Sequence, residues 1–316
     1  MNTTAKVAVA SRSFSKHPDL RREMQARYAN VTFNETGRSL SGEELVGFLR
    51  GHDMAVTALE RLTDELFAAL PELKIIGKYG VGLDMIDFAA LEKHGVKIGW
   101  TGGVNKRSVS ELVVSFAIAL LHRVPEGHHH VRGGGFKQLK GRQLTGRTVG
   151  IIGCGHVGKD LTLLLKAFNC TVLANDILDF PDFYAEHNVQ PVGLEELLQR
   201  SEVVTLHTPL DDSTRGILNA QRLNLMRRDA VLINIARGGL IDEAELKAML
   251  MDGRLAGAAV DVFSPEPPED MEFLNLPNVI VTPHIGGSSE EAILAMGLAA
   301  IDGLEHARLP SEQGFL

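Results

Sequence analysis

Short apolar runs alternate along this chain with longer stretches in which apolar positions recur every three or four residues. The runs at 6–10, 54–57, 73–76 and 96–98 read as strands, and 19–29, the stretch opened by Ser41 and 62–70 read as amphipathic helices between them. Ser41-Gly42-Glu43-Glu44 and Ser108-Val109-Ser110-Glu111 are capping-box patterns, the second opening a long apolar helix to about Leu121. Gly133-Gly134-Gly135 then breaks the chain. Alternation resumes with strands expected at 148–152, 171–175, 203–206, 230–234, 257–262 and 279–281. This spacing implies parallel, doubly wound α/β sheets, two of them. The last helix, 289–308, follows the completed second sheet and is expected to return to the first. The domains then read as 1–101 plus 288–316, interrupted by 102–287.

The second half opens with Gly153-Cys154-Gly155-His156-Val157-Gly158, placed between the apolar run 149–152 and a helical stretch. Strand, tight turn and helix are the setting in which a GxGxxG pattern binds a dinucleotide. Gly153 permits the turn, Gly155 lets backbone approach a pyrophosphate, and Gly158 allows helix to pack on strand. The helix N-terminus offers its unpaired N–H groups to the phosphates. Asp176 closes the next strand, where a carboxylate accepts from the adenosine ribose hydroxyls and repels a 2′-phosphate. The residues that follow, Ile177, Leu178 and Asp179, bring no cation, so NAD is favoured over NADP.

The formal charge of −8 argues against a nucleic-acid partner. There is no signal-peptide pattern at the N-terminus and no apolar run of membrane-spanning length, and the expectation is a cytoplasmic protein. The two cysteines, Cys154 and Cys170, do not make a disulfide framework. His128-His129-His130 would splay about 100° apart on a helix, so the run reads as a solvated face and no metal site is assigned.

Three residues at expected strand ends suit one reaction, the reduction of a 2-keto acid. Arg237 can hold a substrate carboxylate with two parallel hydrogen bonds and polarise the keto oxygen. His284 can give that oxygen a proton, and Glu266 beside it would favour the imidazolium and fix the ring.

With these residues in view, the chain resembles the NAD-dependent D-2-hydroxyacid dehydrogenase family, in its phosphoglycerate dehydrogenase-like branch. The resemblance rests on Lys78-Tyr79-Gly80-Val81-Gly82-Leu83-Asp84, Asn105 with Ser108 to Leu112, the glycine loop, and Leu206-His207-Thr208-Pro209-Leu210. It continues through 234–239, 261–268 and 283–287. It implies a Rossmann cofactor domain inserted into a flavodoxin-like substrate domain, with a cleft between them, and a homodimer formed largely through the cofactor domain. Arg237, Glu266 and His284 match the family's catalytic residues. Asp261 matches the acceptor for the nicotinamide carboxamide. His156 and Val157 match the pyrophosphate loop tip, and Thr208 and Pro209 the adenosine side. His207, Ile235, Ala236 and Gly286 fall in the same cofactor-lining motifs. Val81 and Gly82 match a loop whose amides meet the substrate carboxylate. Lys78, standing where the family often has Arg, is expected to bind substrate by meeting an anionic group, so a phosphorylated acid stays among the candidates.

Serine-pathway phosphoglycerate dehydrogenases typically carry Arg-Ser-Ala-Thr where this chain has Thr57-Ala58-Leu59-Glu60. The chain also stops at Leu316, without length for their C-terminal regulatory domain. The expected substrate is therefore a generic small 2-hydroxy or 2-keto acid, with hydroxypyruvate, glyoxylate and phosphoglycerate as candidates. A second reading is an NAD(H)-sensing binding protein on a dehydrogenase scaffold. The acidic charge and short termini favour the enzyme.

Overall fold

The computed structural model describes residues 2–316. The chain divides into two compact units, one running to Asn105 and resuming over Glu290–Leu316, the other Lys106–Ser289.

The first unit is built on five parallel strands: β1 (Asn2–Val9), β2 (Tyr28–Phe33), β3 (Met54–Thr57), β4 (Ile75–Lys78) and β5 (Lys97–Gly99). Their order is β2-β1-β3-β4-β5, the flavodoxin-like winding. Both faces are covered. Ala8, Ala55 and Ile76 pack with Leu45, Leu49, Phe67 and Leu91 on one side, and Val7, Val9 and Val56 pack with Leu20, Met24 and Ile301 on the other. The second layer includes helix Glu290–His306, which lies so close to β5 that a Cβ on Gly99 would stand 2.0 Å from the Gly303 carbonyl oxygen. Glycine on both sides of that contact is what admits the helix.

The second unit holds seven parallel strands: β6 (Thr148–Ile152), β7 (Thr171–Asn175), β8 (Val189–Pro191), β9 (Val203–Leu206), β10 (Val231–Asn234), β11 (Gly257–Val260) and β12 (Val279–Val281). The order β12-β11-β10-β9-β6-β7-β8 is the Rossmann winding with one strand added at the β12 edge. Direction reverses between β6 and β9, which makes their C-terminal ends the switch point where open α/β sheets bind ligands.

Two strands escape the sequence reading, β2 and β8, and both lie at sheet edges. In β2 only the terminal Tyr28 and Phe33 are buried, and β8 has three residues with one buried. Covered on one side at most, they lack the apolar run that marks a central strand. Both capping boxes also resolve differently. Ser41 precedes helix Gly42–Leu49 without a side-chain cap bond. Helix Lys106–Leu121 starts ahead of Ser108, whose hydroxyl instead donates to the Gly286 carbonyl at 2.7 Å. No single helix among the described residues is long and apolar enough to cross a membrane.

Candidate active site

One register row positions the site in the second unit. Ile152 of β6 pairs with Asn175 of β7 and Leu206 of β9; Leu206 pairs with Asn234 of β10, Asn234 with Val260 of β11, and Val260 with Val281 of β12. One residue past that row stand Gly153, Asp176, His207, Ile235, Asp261 and Thr282. The sheet thus brings to one edge residues spread over more than a hundred positions.

The three glycines of the loop do separate jobs. Gly153 has φ +95°, and a Cβ there would come within 2.8 Å of the His207 carbonyl across the switch point. Gly158 faces the Gly153 carbonyl, where a Cβ would stand at 2.4 Å, so helix His156–Lys166 can seat on β6 only without a side chain. A Cβ on Gly155 would meet nothing within 4 Å. That residue precedes the helix, exposed with His156 beside it, and no side chain caps the first amides of the helix. Asp176 steadies the loop as well as closing β7: one carboxylate oxygen accepts from Cys154 N at 2.6 Å and the other from Leu178 N at 2.9 Å. Cys154 itself is fully buried, and burial pushes its thiol up to about 11, which leaves it protonated and unreactive.

Beyond β9, burial drives the His207 imidazole down to about 3, so the ring is neutral, and its Nε2 lies 3.0 Å from Thr205 Oγ1. The Thr208 hydroxyl is buried and has no hydrogen-bond partner among the described residues. A stranded hydroxyl costs free energy unless something completes it. Together with the open helix terminus at Gly155, it fits a bound dinucleotide.

Adjacent strands β10, β11 and β12 carry the three candidate catalytic side chains. After β10, the buried Asn234 side chain bridges its own loop, donating to the Arg237 carbonyl at 2.9 Å and accepting from Ala236 N at 3.2 Å. Arg237, half-buried, donates through Nη1 to the Ala236 carbonyl at 2.7 Å. Gly238 follows because a Cβ there would lie 2.1 Å from the Phe263 carbonyl. After β11, Glu266 Oε1 accepts from Phe263 N at 3.0 Å while Oε2 lies 3.1 Å from His284 Nδ1. Glu243, whose carboxyl burial pushes upward, accepts the Ser264 amide and supports the same loop.

His284 sits in the left-handed region with φ +55°, a strained setting for a residue with a side chain. Asp261, fully buried, holds it there. Its Oδ1 accepts from Ile285 N at 2.8 Å and Thr282 Oγ1 at 2.5 Å, its Oδ2 from Gly286 N at 2.8 Å, and its carbonyl from His284 N at 2.8 Å. Asn234, Ser108, Glu243 and Thr282 were not anticipated as site residues. Each acts by holding a loop, and only a buried polar residue beside a strand end would have signalled it.

Lys78, Val81 and Gly82 belong to the first unit, at the C-terminal edge of its own sheet. Val81 and Gly82 lie on the turn after β4, where Gly80 takes φ +97° and the Trp100 indole donates to the Val81 carbonyl at 3.2 Å. Lys78 is buried at 4% exposure, with Nζ donating to the Ala58 carbonyl at 2.8 Å and the Tyr79 carbonyl at 3.0 Å. The histidine run lies on helix Val124–Arg132, none of whose residues is buried.

Fold and strand-end residues define a dinucleotide-binding α/β protein. Residues 114–286 match the model of the D-isomer specific 2-hydroxyacid dehydrogenase family, NAD binding domain. The chain belongs to that family, and its second unit carries the family's NAD-binding domain. It is 35% identical over 267 residues to D-3-phosphoglycerate dehydrogenase of Methanocaldococcus jannaschii, covering 83% of this chain and 51% of that protein. The Bacillus subtilis protein YoaD is 31% identical, covering 86% of this chain and 82% of its own. A crystal structure of a Thermus thermophilus protein superposes with a TM-score of 0.83 at 30% identity, over 96% of this chain and 98% of that one. The chain spans about half the length of the phosphoglycerate dehydrogenases it matches.

Proposed function

We propose that this protein is an NAD-dependent oxidoreductase that interconverts a small D-2-hydroxy acid and its 2-keto acid. The observation that carries the reading is the His284–Glu266 pair, with Arg237 on the loop of the next strand, so that the three follow the adjacent strands β10, β11 and β12. The nicotinamide, when bound, exchanges a hydride with C2 of the substrate. Gly155, the amides opening helix His156–Lys166 and the Thr208 hydroxyl would hold the dinucleotide, with Asp176 on the adenosine ribose. Ile235, Ala236, Asp261 and Gly286 would line its nicotinamide side.

Arg237 supplies two coplanar N–H donors for the substrate carboxylate, which fixes C2 in one orientation. Glu266 faces Nδ1 of His284, so Nε2 is the nitrogen left for the substrate oxygen. In reduction, Nε2–H gives its proton to the oxygen as the hydride reaches C2; in oxidation the neutral ring takes it back. We assign the first unit as the substrate domain, with the amides of Val81 and Gly82, on the turn after β4, as its donors to a substrate carboxylate.

The reading extends to a cytoplasmic homodimer. In its support, both cysteines are unpaired, and Val124, Val131 and Phe136 are exposed on one stretch of the second unit.

The test is oxidation of NADH, and separately NADPH, by the purified protein with a panel of 2-keto acids including glyoxylate, pyruvate and hydroxypyruvate. Turnover with NADH and a D-configured product are expected. Silence across the panel with NADH binding intact would replace the enzyme with a nucleotide-sensing protein.

A further inference from the structure

At the C-terminal edge of the first sheet, Thr57 of β3 pairs with Lys78 of β4, so the loops that follow them run side by side. Two buried charged side chains act on these loops. Lys78 Nζ donates to the Ala58 carbonyl at 2.8 Å, and Glu60 Oε2 accepts from the Ala58 amide at 2.5 Å. The backbone of Ala58 is therefore gripped at both ends, by a cation on its oxygen and an anion on its nitrogen. The same ammonium donates to the Tyr79 carbonyl at 3.0 Å, which ties in the first residue of the turn carrying Val81 and Gly82. That turn folds over the ammonium: a Cβ on Gly80 would lie 3.7 Å from Nζ. Lys78 and Glu60 are each only 4% exposed.

A buried ammonium is costly unless its donors are satisfied, and here the ammonium meets the Ala58 and Tyr79 carbonyls. A phosphate dianion approaching this edge would have to take the ammonium away from those carbonyls. The Glu60 carboxylate on the neighbouring amide adds a negative charge to the same loop. A cation placed to receive an incoming anion has its donors turned to solvent, and this one is turned into the fold.

We propose that Lys78 and Glu60 form a buried strut that sets the two loops at this edge. On that arrangement the first unit takes an unphosphorylated 2-keto acid through backbone amides, and Lys78 is a positioning residue that does not touch the substrate. The substrate half of this inference rests on the dehydrogenase reading above; the strut does not.

The experiment compares Lys78→Met and Glu60→Met in the full chain, using hydroxypyruvate and its phosphate ester. The wild type should prefer the unphosphorylated acid by about tenfold or more in kcat/KM. Both variants should raise KM for hydroxypyruvate about tenfold, with kcat and NADH affinity little changed. If Lys78 instead bound the substrate anion, Glu60→Met would remove a repulsive charge and lower KM, and Lys78→Met would damage the phosphorylated substrate selectively. Either result overturns the proposal.

Amide exchange over 58–62 and 79–83 supplies a readout independent of turnover, and both variants should exchange about tenfold faster there. Unchanged exchange would overturn the strut even if KM moved. A protein inactive on every keto acid but showing the faster exchange would lose the dehydrogenase reading and the substrate half, and keep the strut. Should a single variant fail to fold, the double Lys78→Met/Glu60→Met variant leaves no charge buried alone and is read the same way.

Discussion

His284 Nδ1 lies 3.1 Å from Glu266 Oε2, and the other oxygen of that carboxylate is held by the Phe263 amide at 3.0 Å. The carboxylate is thus anchored on its own loop before it meets the ring, so it fixes which imidazole nitrogen faces the substrate. Glu266→Gln keeps the size of the side chain but removes the charge opposite the ring. Its kcat should fall about 10- to 100-fold with NADH affinity unchanged, as expected for weakened general acid–base catalysis. Steady-state kinetics alongside a fluorescence titration with NADH separates the two quantities. A variant with the wild-type kcat would remove Glu266 from the catalytic group.

Arg237 acts through shape as well as charge. Lysine in its place keeps the cation but offers a point charge where a planar fork stood. Arg237→Lys should lose about 100-fold in kcat/KM for the keto acid while binding NADH within about twofold of wild type. If NADH affinity fell as far as kcat/KM, the residue would belong to the cofactor site and the carboxylate clamp would need another owner.

The sequence was legible where a pattern has a single physical cause. Apolar runs exposed ten strands, most plainly central ones such as β9, β10 and β11, which are buried along their whole length because both faces are covered. The GxGxxG spacing located the switch point, since Gly153 and Gly158 are each pressed against backbone that excludes a side chain. Arg237, Glu266 and His284 stand out in the sequence because each lies a few residues beyond a strand, after β10, β11 and β12 in turn. The supports of the site were not visible. Asn234, and Asp261 beyond the cofactor role expected for it, act through hydrogen bonds to their neighbours' backbone, and nothing in the identity of an Asn or Asp says which amide it will meet. Lys78 marks the same limit, because a cation near a strand end reads as an anion ligand while its bonds to the Ala58 and Tyr79 carbonyls leave no trace in the sequence.

The division of labour among the glycines can be separated by measurement. Gly158→Ala would drive a Cβ to within 2.4 Å of the Gly153 carbonyl, so it should destabilise the protein by about 1–3 kcal/mol as an overpacked core does. Gly155→Ala meets open space but sits at φ −75° and ψ −145°, outside the main α and β regions, so it adds backbone strain without a clash and its Tm should fall less than that of Gly158→Ala. Its NADH affinity should nevertheless drop about tenfold or more, because the added methyl occupies the approach to the phosphates. Differential scanning fluorimetry with and without NADH distinguishes the two. The opposite pattern, with Gly155→Ala unstable and Gly158→Ala binding poorly at full stability, would reverse the roles assigned here.

His207 gives the fold a pH dependence whose sign is fixed by burial. Its imidazole is pushed down from 6.5 to about 3 in the native protein. Below pH 6.5 the unfolded chain takes up a proton at this residue that the folded chain does not, which favours unfolding. The stability tied to the neutral ring is complete above pH 6.5 and is lost progressively as pH falls from there toward 3. His207→Gln removes that titration while keeping a polar side chain within reach of Thr205. Its Tm should be below wild type at pH 8, and the gap should narrow or reverse by pH 5, near the middle of the window between 3 and 6.5. Thermal melts of the two proteins across that range decide it. Parallel curves would mean that the folded ring takes a proton as readily as the unfolded one, and that His207 is open to water at the switch point.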